Sequence, residues 1–227
     1  MVVGLADPSV VSRWDSQSAA AAEKWYPAND LVRLERWFFK QPGRVLDYGT
    51  GAGVNAVHLA RRGYTVEALD ASGEMVKVAR QRAADHGVGD KVSVDKIEAS
   101  ATRLPFDDNS FDFVVCVNVL SLVGSRERIE LLLSEFRRVV KPQGKLILDV
   151  NAASADFARN SRMIEPDVYL FKGADGKETG IPTYCPPDAD TFAALVGKFF
   201  AVDDVGYTSF KYLHSTITEF IVCCHKA

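Results

Sequence analysis

The segment Val45 to Gly53, which reads VLDYGTGAG, constrains the fold more than any other part of the chain. An apolar run typical of a strand leads into a turn with glycine at alternate positions, and a segment with helical spacing follows. Glycine lets a backbone adopt positive φ and approach a ligand closely, and the first N–H groups of a helix have no partners within it. The segment therefore predicts a strand–turn–helix unit that binds a nucleotide-like ligand.

The acid Asp70 and the spacing of the glycines indicate which ligand. Asp70 ends the next apolar run, about twenty residues beyond the turn, where a carboxylate accepts hydrogen bonds from ribose hydroxyls. Val54 stands where a dinucleotide-binding turn has its third glycine, and Asp47 precedes the first glycine by two residues. Because a carboxylate repels a pyrophosphate and attracts an ammonium or sulfonium group, the pattern favours a cationic ligand over a dinucleotide.

Four segments in this order resemble the class I S-adenosylmethionine-dependent methyltransferases that act on small molecules. They are VLDYGTGAG at Val45 to Gly53, EALDAS at Glu67 to Ser72, RLPFDDNSFDFVV at Arg103 to Val115, and VVKPQGKLIL at Val139 to Leu148. The resemblance implies the cofactor S-adenosyl-L-methionine and direct in-line methyl transfer to a small-molecule acceptor that it does not specify. Two alternatives stay open: a non-catalytic S-adenosylmethionine-binding or interaction protein, and an NAD-dependent oxidoreductase, which Val54 disfavours.

The resemblance also implies cofactor-binding roles at matching positions. The glycine turn would surround the methionine part of the cofactor, with Asp47 near its amino group and Asp70 on the ribose hydroxyls. Ala71 and Met75 would flank the adenine, although Met75 equally fits the apolar face of a helix. The residues expected at the cofactor are Asp47, Gly49, Gly51, Gly53, Asp70, Ala71, Met75, Ser100, Ala101 and Asn118.

Ser100-Ala101 departs from the family pattern, and Asn118 has two possible roles. Where the family commonly has an aspartate that accepts from the adenine amino group, this chain has Ser100-Ala101, and a serine hydroxyl forms a weaker, neutral hydrogen bond. Asn118 is expected near the methionine part of the cofactor or near the acceptor, while a structural role at a strand end is equally compatible with its position.

Methyl transfer from a sulfonium needs mainly alignment of the reacting atoms, which supplies effective molarities of roughly 10⁵ to 10⁸ M. A nucleophile that carries a proton also needs a general base. His214 lies in the predicted connection between the last two strands, on the same rim as the cofactor, together with Tyr212. We predict His214 as the catalytic or acceptor-orienting residue, with a solvated turn residue as the alternative.

Short apolar runs alternate with amphipathic segments, which is typical of βαβ units. The predicted fold class is α/β, a Rossmann-like, doubly wound, mostly parallel sheet of seven strands whose last strand is reversed by resemblance to the family. Parallel strands bring their carboxyl ends to one rim, where Asp47, Asp70, Ser100 and Asn118 converge. The strands are expected at 44–48, 64–70, 92–97, 111–118, 145–150, 201–207 and 216–225, and one helix is expected to bury Ile129, Leu132, Leu133, Phe136, Val139 and Val140.

The whole chain, residues 1–227, is expected to form one domain, since 227 residues with 47% hydrophobic content suffice for one sizeable core. Residues 1–40 are predicted to form an N-terminal helical cap, and residues 151–187 an inserted substrate lid. Their large apolar side chains could line an acceptor site or only pack these segments onto the core. They are Tyr26, Phe157, Met163, Tyr169, Phe171 and Tyr184.

The composition disfavours several partners. A net charge of −3 leaves no overall basic footprint for nucleic acid, and no apolar segment is long enough to cross a membrane. Without an export signal, the chain is expected in the cytoplasm. Cys116, Cys185, Cys223 and Cys224 lack metal-ligand spacing, so we predict structural thiols and no metal site. The sequence leaves the oligomeric state open.

Overall fold

A computed structural model describes residues 3–153, 160–172, 178–212 and 215–227. Seven strands form its central sheet: β1 (Arg44–Tyr48), β2 (Thr65–Asp70), β3 (Val92–Lys96), β4 (Phe111–Cys116), β5 (Val140–Asn151), β9 (Ala201–Tyr212) and β10 (Ser215–His225). They lie in the order β3-β2-β1-β4-β5-β10-β9. Strands β1 to β5 are parallel, and β10 runs antiparallel to both β5 and β9. The predicted fold class and the reversed last strand are therefore confirmed.

Helices connect these strands and precede them. They are α1 (Pro8–Ala22), α2 (Asn29–Leu34), a π-helical turn (Glu35–Phe39), α3 (Val54–Arg61), α4 (Gly73–Asp85), a 3₁₀ turn (Leu120–Leu122), α5 (Arg126–Val139) and α6 (Ala189–Val196). Helix α5 begins at the cap Ser125, whose hydroxyl accepts from the Arg128 N–H, and buries the apolar stripe from Ile129 to Val139. Apolar residues cover both sheet faces, as expected for parallel strands.

Several predicted boundaries were wrong. Val140 begins β5 instead of continuing the helix, because it pairs with Phe111 of β4 five residues before the predicted start of the strand. Strand β4 ends at Cys116 instead of Asn118, and β9 continues to Tyr212. Gln143, within β5, takes a left-handed conformation with φ of 62°.

Residues 151–187 contain a second sheet, for which the sequence analysis predicted no strands. Strands β6 (Ser161–Glu165), β7 (Val168–Lys172) and β8 (Glu178–Tyr184) pair antiparallel. The side chains of Val168 and Tyr184 are fully buried in the same apolar cluster as α5. The inserted segment is thus attached to the main core through one side of its own small sheet.

The four cysteines are buried free thiols, and burial raises the pKa of each above its usual value. Their predicted behaviour as small apolar residues is consistent with these positions. Within the described ranges, no helix has both the length and the apolar character needed to cross a membrane.

Candidate functional site

A cavity lies at the carboxyl edge of the central sheet, where β1, β2 and β4 end. Its floor is the turn after β1, and helix α1 forms one wall. The lining residues are Ala6, Val10, Val11, Trp14, Lys24, Tyr48, Gly49, Thr50, Gly51, Ala52, Val54, Asn55, Asp70, Ala71, Ser72, Met75, Val117, Asn118, Val119, Leu122 and Val123. Six of the ten predicted cofactor positions lie here: Gly49, Gly51, Asp70, Ala71, Met75 and Asn118.

The glycine turn shapes the floor of this cavity. Gly49 and Gly51 have φ of 72° and 54°, in the left-handed region that favours glycine. A Cβ on Gly49 would lie 2.3 Å from Cγ2 of Val119, whereas a Cβ on Gly51 would meet no atom within 4 Å. Gly49 therefore permits close contact with the loop after β4, and Gly51 leaves an open cradle that a ligand can occupy. Gly53, the third glycine, lies outside the cavity against Ala79 of α4.

Asp70 joins the glycine turn to the start of α4. Its carboxylate accepts from the Gly51 N–H at 2.8 Å and from the Ser72 N–H at 2.9 Å. Burial raises the pKa of Asp70, and the backbone N–H groups of Ser72, Gly51 and Ala71 oppose that shift. A carboxylate offers about four acceptor sites, so two hydrogen bonds leave capacity for ligand hydroxyls.

Asp47 lies beneath the turn and does not line the cavity. Its carboxylate is buried and accepts from the Thr50 hydroxyl at 2.6 Å, and Thr50 does line the cavity. Burial raises the pKa of Asp47 to about 6; the Thr50 hydrogen bond opposes the shift and the charge of Asp70 adds to it. Asp47 therefore orders the turn through Thr50 in this structure.

Ser100 and Ala101 do not line the cavity, and the N-terminal segment pairs with the backbone of this loop. The Leu5 N–H donates to the Ala101 carbonyl at 2.7 Å, and the Ala6 N–H donates to the Ala99 carbonyl at 3.1 Å. Ala6 reaches the cavity instead. The sequence does not predict this pairing, because backbone groups form both hydrogen bonds and no side-chain pattern marks them.

Side chains from other elements hold the N-terminal segment and α1 in place. The Arg128 guanidinium on α5 donates to the carbonyls of Gly4 and Ala6 at 3.0 and 2.5 Å. The Arg82 guanidinium on α4 donates to the Ala22 carbonyl at 2.6 Å, at the end of α1. Val10, Val11 and Trp14 of α1 thereby form an apolar wall of the cavity; the sequence indicated that the N-terminal stretch from Trp14 leads towards this rim, but not Val10 and Val11.

The turn after β4 forms the opposite wall. Asn118 has φ of 62°, and its N–H donates to the Asp149 carboxylate on β5 at 2.6 Å. Asp149 is 5% exposed, and burial raises its pKa to about 8, against the opposing effect of the Asn118 N–H. The sequence analysis missed Asp149, although a carboxylate inside the apolar run of β5 was a visible signal.

Of the remaining predicted residues, some fall outside the described ranges and the others do not line the cavity. His214 lies outside the described residues, as do Phe157 and the side chain of Tyr212. Tyr26 is 80% exposed, Met163 is also exposed, and Tyr184 is buried in the core. None of Tyr26, Met163, Tyr169, Phe171 and Tyr184 lines the cavity.

Comparison with known proteins is consistent with this site. A family model described as a methyltransferase domain matches residues 46–148. Norajmaline N-methyltransferase of Rauvolfia serpentina is 28% identical over 165 residues, which cover 72% of this chain and 54% of that protein. The ubiquinone biosynthesis O-methyltransferase of Xanthomonas euvesicatoria pv. vesicatoria is 34% identical over 153 residues, 62% of each chain. This chain therefore spans between half and two thirds of these relatives.

Among solved structures, a SAM-dependent methyltransferase from Methanosarcina mazei superposes with a TM-score of 0.72 at 21% identity, covering 88% of this chain and 98% of that one. At this identity the likeness establishes the fold, which is the methyltransferase form of the Rossmann-like sheet. Residues 46–148 thus match a methyltransferase domain, and the comparisons support the predicted resemblance of this chain to the class I S-adenosylmethionine-dependent methyltransferases.

Proposed function

We propose that this chain transfers the methyl group of S-adenosylmethionine to a small-molecule acceptor by direct in-line displacement. The observation that carries the proposal is the arrangement of Asp70 and Gly51. A carboxylate with spare acceptor sites ends β2 and holds a glycine turn whose own surface is open to the cavity. This arrangement suits a ligand that combines ribose hydroxyls with a flexible, positively charged chain.

The cavity residues fit the parts of such a cofactor. Asp70 would hold the ribose hydroxyls, and the turn from Gly49 to Gly51 would surround the methionine part. Ala71 and Met75, which line the cavity, would flank the adenine. Asp47 would act indirectly, through the Thr50 hydroxyl that donates a hydrogen bond to its carboxylate. Its buried negative charge favours a cation above the turn whenever the carboxyl is ionised.

When bound, the cofactor supplies an already activated methyl group, so the protein contributes mainly alignment and exclusion of water. Val10, Val11 and Trp14 of α1 form an apolar wall over the cavity. Asn118 and Val119 form the wall at the end of β4, where an acceptor would have access. His214 stays our proposed general base or acceptor-orienting residue for a nucleophile that must lose a proton.

The names of the two curated relatives support a small-molecule acceptor. One is named norajmaline N-methyltransferase, and the other is named ubiquinone biosynthesis O-methyltransferase. The two differ in the methylated element, so they favour no particular acceptor atom. No nucleic-acid or membrane partner is proposed, since the net charge is −3 and no basic excess is present.

Isothermal titration calorimetry with S-adenosylmethionine, S-adenosylhomocysteine and NAD, on wild type and Asp70→Asn, tests the cofactor. We expect binding of the first two ligands and a loss of about tenfold or more in Asp70→Asn, because a charge-assisted hydrogen bond is weakened. Binding of NAD alone would refute the proposal. Transfer of labelled methyl from S-adenosylmethionine to a panel of amines, phenols and quinols then tests the activity. Cofactor binding without transfer to any of them would favour a non-catalytic binder.

A further inference from the structure

Two hydrogen bonds fasten the turn after β4 to the end of β5. The Asn118 N–H donates to the Asp149 carboxylate at 2.6 Å, and the Asn151 N–H donates to the Ser121 hydroxyl at 2.8 Å. The two bonds lie on either side of Val119 and Leu120 and run in opposite directions between the two segments. The position of this turn is therefore determined by β5 and not only by the strand that precedes it.

Asn118 needs such support because of its backbone conformation. Its φ of 62° lies in the left-handed region, which asparagine adopts more readily than most L-residues but at a greater cost than glycine. Asn118 borders the cavity, and the next residue, Val119, lies so close to Gly49 that a Cβ there would come within 2.3 Å of its Cγ2. A change in the conformation of Asn118 would therefore displace the wall that touches the glycine turn.

Asp149 is an unusual residue for the place it occupies. Its carboxyl is 5% exposed within the apolar run of β5, where an apolar residue would avoid the cost of desolvation. The charged and titratable groups that interact with it are Glu219 on β10, Asp30 on α2, Lys24 before α2, and the Cys116 thiol on β4. The Asn118 N–H donates a hydrogen bond to the Asp149 carboxyl. The buried carboxyl is therefore linked to the conformation of Asn118.

We infer that Asp149 is a positioning residue: its carboxyl holds Asn118 in the left-handed conformation and thereby fixes the wall formed by Asn118 and Val119 against the glycine turn. Its effect on ligand binding rests on the proposed function, whereas the hydrogen bond itself can be observed without a ligand. Asp149 acts through Asn118 and needs no contact with cofactor or acceptor.

A mutant cycle with S-adenosylhomocysteine as the probe tests the effect on binding. Asp149→Ala should weaken binding about tenfold in the wild-type background and in the Asn118→Ala background. In both, residue 118 has a side chain and needs support in the left-handed region. In Asn118→Gly the same change should weaken binding less than about threefold, because glycine adopts this φ unaided. Asp149→Asn, which keeps an acceptor oxygen, should restore most of the affinity. An equal loss in the alanine and glycine backgrounds would overturn the inference.

A second measurement works on the ligand-free protein. In ¹⁵N–¹H spectra, the Asn118 amide proton should lie downfield and shift with pH as the Asp149 carboxyl titrates, and the shift with pH should disappear in Asp149→Asn. An Asn118 signal that ignores pH, or that titrates identically in Asp149→Asn, would refute the inference. If wild type binds no S-adenosylhomocysteine, the proposed function fails, while these spectra still decide the role of Asp149.

Discussion

The Ser72 hydroxyl donates a hydrogen bond to the Asp15 carboxylate at 2.5 Å and accepts one from the Met75 N–H at 3.1 Å. One side chain thus caps α4 and attaches the N-terminal helix α1 to that cap. Asp15 also lies 3.4 Å from the Glu74 nitrogen, near the positive end of the α4 dipole. The wall that α1 contributes to the cavity is therefore attached to the start of α4, which directly follows Asp70 and Ala71.

The first prediction concerns this attachment. Asp15→Ala should weaken binding of S-adenosylmethionine about threefold to tenfold, because α1 loses a charge-assisted hydrogen bond that holds it over the cavity. Titration calorimetry measures the change. Glu23→Ala, which removes an exposed carboxylate just after α1, is the matched control and should leave affinity unchanged. Equal effects of the two substitutions would indicate a general charge effect instead of a specific attachment.

The sequence predicted features that depend on neighbouring residues. The turn from Gly49 to Gly53, Asp70 at the end of β2 and the stripe of α5 are each determined within a few positions, and the structure contains all three. Backbone pairing between Leu5 and Ala101 could not be predicted, because nearly a hundred residues separate the two and no side chain makes the bond. Asp149 could have been noticed, since a carboxylate within an apolar strand needs a partner. Its partner, the Asn118 N–H, can be recognised only once the left-handed turn at Asn118 is known. This turn also explains why β4 ends earlier than predicted.

The second prediction concerns the N-terminal segment. Arg128→Ala should increase the hydrogen-exchange rates of the Leu5 and Ala6 amides about tenfold or more, because the guanidinium that binds the Gly4 and Ala6 carbonyls is lost. Amide exchange followed by NMR measures these rates. Arg126→Ala removes a guanidinium from the same helix that contacts Glu130 at 3.7 Å, and should leave both rates unchanged. Unchanged rates in Arg128→Ala would show that backbone pairing alone holds the segment.

The third prediction concerns the pH dependence of stability. The pKa of Asp149 is raised from 3.8 to about 8 in the folded protein, so the folded state binds a proton that the unfolded state releases between these values. The contribution of Asp149 to stability is therefore full below pH 4 and decreases as the pH rises towards 8. Between pH 6 and pH 9, wild type should lose roughly 3 kcal/mol of unfolding free energy relative to Asp149→Asn.

Urea denaturation of both proteins at the two pH values measures this difference. Asp188→Asn is the control, because Asp188 caps α6 through the Thr191 N–H and its pKa is lowered. Asp188 is ionised in both folded and unfolded protein above pH 6, so the effect of its substitution should not depend on pH in this range. A constant difference between wild type and Asp149→Asn would contradict the raised pKa.

The last prediction separates backbone strain from ligand contact at the glycine turn. Gly51 and Gly87 have φ of 54° and 66°, and a Cβ on either would meet no atom within 4 Å. Alanine at either position should therefore lower the unfolding free energy by a similar amount, about 1 kcal/mol, through the left-handed conformation alone. Only Gly51 borders the cavity, so only Gly51→Ala should also weaken binding of S-adenosylmethionine, by about tenfold or more, because its methyl group occupies space meant for the ligand. Thermal or urea denaturation gives the first quantity and calorimetry the second. If Gly51→Ala and Gly87→Ala bound the cofactor equally well, the open surface at Gly51 would not be part of its binding site.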